Sequence, residues 1–79
     1  MADGPHSLIA RFRGEIESLP TETLIGDWIV AGRVVTVTDT TVIDQSAGAA
    51  VVGAKVQVLG LRVEDSETVV AVLIYVLES

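Results

Sequence analysis

The sequence predicts an all-β fold, and three observations carry that expectation. Of 79 residues, 14 are Val, 6 are Ile and 7 are Thr, and such branched side chains suit a pleated, half-buried surface. Apolar residues recur with a period of two in short runs, the periodicity of a strand rather than a helix. Glycines at positions 14, 26, 32, 48, 53 and 60 punctuate those runs, where turns and bends are needed. The length allows one domain, and at this size folding buries only about 60% of the surface of the unfolded chain. Aromatics make up 4% of the chain, so the core must be built from many small branched side chains.

Residues 1–7, with Asp3-Gly4-Pro5, have the composition of a flexible N-terminal tail. A single barrel domain is expected over residues 8–77. From Leu8 the alternation sets Leu8, Ala10, Phe12, Gly14, Ile16 and Ser18 on the core face of a long first strand, which Gly14 would let bend or bulge. Pro20-Thr21-Glu22-Thr23 reads as a turn, and Leu24 to Ala31 as a second strand. Ala31-Gly32 then leaves room only for a tight hairpin into a third strand, Arg33 to Thr38, with Val35 and Val37 inward. Residues 39–53 are irregular: Val42-Ile43 can add a short strand, and Gln45 to Ala50 reads as loop with at most one helical turn.

A fourth strand, Ala54 to Glu64, sets Val56 and Val58 on one face and Leu61 and Val63 on the other. A bulge at Gly60 would return the latter pair to the interior. After an acidic turn, Thr68 to Leu77 forms the last strand, apolar on both faces. A domain this small cannot cover both faces with its own chain. Something else should bury one of them; the alternative is that the first residues of the chain fold back over it. Five or six strands with glycine at the bends make a small OB-like or Greek-key barrel, with an open two-layer arrangement as the alternative.

A net charge of −6 and only five Lys and Arg argue against nucleic acid as a partner, since phosphate binding needs cations to displace counterions. Cysteine is absent, which excludes disulfides, thiolate catalysis and Cys-based metal sites and leaves the compartment open. The first residues lack the pattern of a signal peptide, and no apolar run approaches the ~18 residues of a membrane span. The chain as written is therefore expected to be soluble, without membrane insertion.

The string Phe12-x-Gly14-x-Ile16-x-x-Leu19-Pro20, then Gly26-x-Trp28-x-Val30-x-Gly32-Arg33-x-Val35-x-Val37, Thr41, Val52-Gly53-Ala54-x-Val56-x-Val58-x-Gly60 and Ala71-x-x-Ile74 resembles a bacterial family of small OB-like β-barrel domains of unknown function. Trp28 with Gly32-Arg33 is its most distinctive part. The resemblance implies a domain that often occurs in tandem or attached to exported or membrane-tethered proteins, with no catalytic motif. The chain departs from that pattern at Val72-Leu73 and Tyr75, where mostly polar outward residues are expected.

No constellation for catalysis stands out. His6 is the only imidazole and lies in the tail, whereas a Ser or Thr nucleophile needs a base within hydrogen-bond reach. Asp39, Asp44, Glu64, Asp65 and Glu67 fit no cation-loop signature, and no glycine run precedes a helix to cradle phosphate. Catalytic residues, cofactor and metal are therefore expected to be none. The function expected is a non-enzymatic interaction module that pairs with itself, as a homodimer, or with a neighbouring domain. Val69, Ala71, Leu73 and Tyr75 of the last strand would form the interface. The alternative is a binding site for an oligosaccharide or small anion, with Trp28 as stacking face and Arg33 at the rim; a core role for Trp28 is the plainer reading.

Overall fold

The computed structural model describes residues 9–63 and 66–78. The expected tail, and Glu64 and Asp65 of the acidic turn, lie outside them. Six strands run in order: β1 (Ile9–Ser18), β2 (Gly26–Val30), β3 (Arg33–Val37), β4 (Val42–Asp44), β5 (Lys55–Arg62) and β6 (Val69–Glu78). Their order is β3-β2-β1-β5-β6-β4, and an additional parallel pairing of β3 with β6 closes the sheet on itself. The result is a closed five-stranded mixed barrel of OB-like topology, with β4 laid as an extra strand along β6. No helix is found among the described residues, so residues 45–50 form turns rather than the helical turn considered above.

The β2–β3 hairpin turns on Ala31 and Gly32, with φ of 52° and 76°. Positive φ at both central residues is the requirement of the turn that matches strand twist. Gly14 does not carry the bulge of β1: the register against β2 shifts between Ile16 and Ser18 instead. Gly14 provides space for the turn, since a Cβ there would stand 2.5 Å from Ala31 Cβ.

Gly60 also departs from expectation. β5 pairs with β1 without interruption through Gly60, and the register shifts fall in β6, where Leu59 faces Leu73 but Gly60 faces Ala71, and again where Val56 faces Val76 but Lys55 faces Glu78. The bulge at Val72 therefore flips the parity of β6, leaving that of β5 unchanged. Val69, Ala71, Ile74 and Val76 all point inward, while Leu61 and Val63 remain on the surface. The bulge sits there because the β6 backbone comes so close to Gly60 that a Cβ would run into the Val70 carbonyl oxygen.

The core gathers Ile16, Trp28, Val30, Val35, Val37, Val56, Val58 and Ile74 with the inward residues of β6. Residues 38–54, which link β3 to β5, are tied down at both ends. Thr41 Oγ1 donates to the Ala71 carbonyl at 2.7 Å, and the Gly53 amide donates to the Ile16 carbonyl at 2.8 Å. The outer face of the β1–β5–β6–β4 sheet is thereby held in a defined geometry.

Candidate interaction surface

Cross-strand pairing arranges the outward side chains of β1, β5, β6 and β4 in rows. Ile9, Leu61 and Val70 form the first row. Arg11, Leu59, Leu73 and Val42 form the second, and Arg13, Gln57, Tyr75 and Asp44 the third. In the fourth, Glu15 stands against Lys55 and Lys55 against Glu78. The face thus runs from apolar at the start of β1 to alternating charge at the far end.

The apolar rows are open to solvent: Ile9 is 65% exposed, Leu61 51%, Val72 52% and Val42 60%. Ile9, Leu59, Gly60, Leu61 and Val72 line a groove of about 210 Å³ with no polar surface. It lies between the outward side chains of Leu59 and Leu61, with Ile9 on one side and Val72, set outward by the bulge, on the other. A second groove of about 330 Å³ lies over the charged rows, between Arg13, Glu15, Lys55 and Glu78.

Of the four residues expected at the interface, Leu73 and Tyr75 lie on this face, and Tyr75 is 42% exposed. Val69 and Ala71 do not, being core residues at 0% and 3% exposure. The parity flip at Val72 explains the correction, because strict alternation along β6 assigns residues on the two sides of a bulge to the same face. Val72, Leu61 and Ile9 take their place. Ile9 already stands on the outward face of the first strand's alternation, whereas the bulge expected above at Gly60 would return Leu61 to the interior.

Trp28, a core residue on the plainer reading and a stacking face for a ligand on the alternative, is fully buried. Its Nε1–H donates to the Leu24 carbonyl at 2.7 Å, which satisfies its one polar atom inside the core and anchors the β1–β2 connection. Arg33 shares the parity of Val35 and Val37 at the start of β3 and is partly buried. Its guanidinium carbon lies 4.6 Å from the centroid of the Phe12 ring, within cation–π range. Glu67 Oε1 is 3.9 Å from Nε, too long for a hydrogen bond, and among the described residues Nε has no hydrogen-bond partner. Among the described residues Arg33 is thus engaged by Phe12, with Glu67 an exposed and weak companion.

Asp44, at the lateral edge of the face, accepts hydrogen bonds at Oδ1 from the Ser46 hydroxyl at 2.6 Å and the Ser46 amide at 2.9 Å. The hydroxyl first, then the amide, hold its carboxyl below the ordinary aspartate value. Among the described residues no three His, Asp or Glu side chains gather as a metal would require. His6 lies outside them. No curated protein and no solved structure matches the chain. The family described as Domain of unknown function (DUF5666) matches residues 13–74, and the chain belongs to that family.

Proposed function

We propose that this domain is a non-catalytic interaction module that packs against another folded domain, a second copy or a neighbour in the same polypeptide, through the outer face of β1, β5, β6 and β4. The observation that carries the reading is the groove of Ile9, Leu59, Gly60, Leu61 and Val72, apolar throughout and open to solvent. Burying such side chains contributes a few kcal/mol at about 25 cal/mol per Å², against association costs of roughly 4–15 kcal/mol. The contact is therefore weak between free copies. It suits a setting that raises local concentration, such as the tandem or exported bacterial proteins in which the resembled domains occur.

Neither lipid nor nucleic acid is the partner on this reading. The same face carries Arg11, Arg13, Glu15 and Lys55, and charged side chains facing hydrocarbon are strongly disfavoured. A net charge of −6 repels phosphate backbones. Sedimentation over a concentration series tests the proposal with wild type and Leu73→Lys. Reversible association that Leu73→Lys abolishes is the expected result; a strict monomer at high micromolar concentration, with Leu73→Lys leaving stability and solubility unchanged, removes the reading.

A further inference from the structure

Charge is divided from edge to edge in the third row of the outer face, while the fourth row alternates Glu15, Lys55 and Glu78. β1 supplies Arg11 and Arg13 at one lateral edge, β4 supplies Asp44 at the other, and Arg13 and Asp44 stand in the same cross-strand row, separated by Gln57 and Tyr75. The row pattern sets two limiting in-plane axes about which a second copy can be turned onto this face. Rotation about an axis across the strands would set Ile9 and Leu61 against Glu15 and Lys55 of the other copy, burying charge against apolar groups. Rotation about an axis along the strands keeps every row opposite itself and exchanges left and right. Leu59 of each copy then meets Leu73 of the other, Leu61 meets Val70, Lys55 meets Glu78 and Arg13 meets Asp44. The one mismatch, Arg11 opposite Val42, falls at the rim, where a long side chain keeps its charged head in water. Sheets packed face to face keep their strands within about 30° of one another, which this arrangement satisfies.

We propose that the domain forms a two-fold, face-to-face dimer about an axis running along its strands, with reciprocal Arg13–Asp44 contacts at its two rims. The inference rests on the interaction-module reading above and names a second copy of this chain as the partner. Asp44 is prepared for the role, since the Ser46 bonds engage Oδ1 and fix the carboxylate in place. The reciprocal pairs also offset the general repulsion between two chains of net charge −6. Three strand spacings of ~4.8 Å and six residues of ~3.3 Å rise make the face about 14 by 20 Å. Two such faces bury on the order of 600 Å², below the ~1,200 Å² of standard interfaces. The free dimer is therefore weak, and strong only where linkage gives effective concentrations of about millimolar.

The test is a charge exchange followed by sedimentation. Arg13→Glu and Asp44→Lys each place like charges at both rims, so each alone dimerises roughly tenfold more weakly than wild type. An equimolar mixture of the two restores pairing, because every rim then joins opposite charges. Should Asp44→Lys fail to fold for want of the Ser46 bonds, Asp44→Asn keeps the acceptor and removes the charge. It weakens the dimer in the wild-type background and strengthens it in the Arg13→Glu background, a reversal of sign that a purely structural role does not produce. A dimer that Leu73→Lys disperses but charge exchange leaves unchanged overturns the two-fold arrangement and leaves the apolar contact standing. Monomers throughout, with Leu73→Lys inert, overturn both. A monomer that dimerises only after removal of residues 1–8 identifies the chain's own N-terminal segment as the occupant and overturns the second copy.

Discussion

Gly60→Ala is the substitution the fold should tolerate least for its size. A Cβ at this position would run into the Val70 carbonyl oxygen and stand 2.8 Å from Val69 Cγ1 and 2.9 Å from Ala71 Cα. Two of those atoms are backbone, held by the β5–β6 ladder and by the bulge at Val72, so no side-chain rotation relieves the contact. Overpacking of this kind costs about 1–3 kcal/mol, and the upper end applies because a ladder must shift. A domain of this size is stable by only about 4–12 kcal/mol at 0.05–0.15 kcal/mol per residue. At 4–8 °C per kcal/mol for small domains, a loss of ~3 kcal/mol lowers Tm by roughly 12–24 °C. The assay is thermal unfolding by circular dichroism, with Lys55→Ala on the exposed side of the same strand as control. A Gly60→Ala protein melting within about 4 °C of wild type, the shift of only ~1 kcal/mol, refutes the placement of the bulge.

Ala31 adopts a φ of 52°, a conformation that Cβ disfavours by about 1 kcal/mol. Ala31→Gly should therefore raise stability by up to about 1 kcal/mol, less the added chain entropy of Gly in the unfolded state, as read from the denaturant midpoint. Trp28→Phe leaves the Leu24 carbonyl without its donor and a gap in the core. A loss of about 2 kcal/mol is expected, visible in urea unfolding. Lowering the pH should release the Ser46 amide from Asp44. The folded carboxyl titrates below its ordinary 3.8, so the stabilisation of this turn is complete above that value and lost as pH falls through the lower folded value. An amide shift of Ser46 with its midpoint below 3.8 in NMR spectra is the expected signature.

Much of the barrel is legible in the sequence because its physics is local. Alternation from Ile9 to Ile16, the Ala31-Gly32 hairpin, and a short strand at Val42-Ile43 each follow from neighbouring residues and each stands where they set it, whereas Ser18, expected on the core face, lies beyond the register shift and is exposed. The faces of β5 and β6 are not legible in the same way. Whether Leu61 points in or out depends on which of two paired strands absorbs the extra residue, and that is decided across the ladder by the close approach of Val70 to Gly60. One misplaced bulge accounts for the displacement of Val69 and Ala71 from surface to core and of Leu61 and Val63 from core to surface. The same limit applies to the candidate site. The excess of apolar residues in the last strand marks the region of the surface, whereas the row that joins Arg13 to Asp44 exists only once β1, β5, β6 and β4 are paired.

The central claim is that the outer face of β5 and β6 meets another protein surface. Its most direct measurement is the methyl spectrum of Ile9, Leu61 and Val72 in the presence of a soluble paramagnetic probe, recorded from low micromolar to high micromolar protein. The account predicts that these methyls are relaxed by the probe in dilute samples and progressively shielded as concentration rises, while the exposed methyls of Val51 and Val52 remain accessible. Unchanged relaxation of all five residues across the series contradicts it.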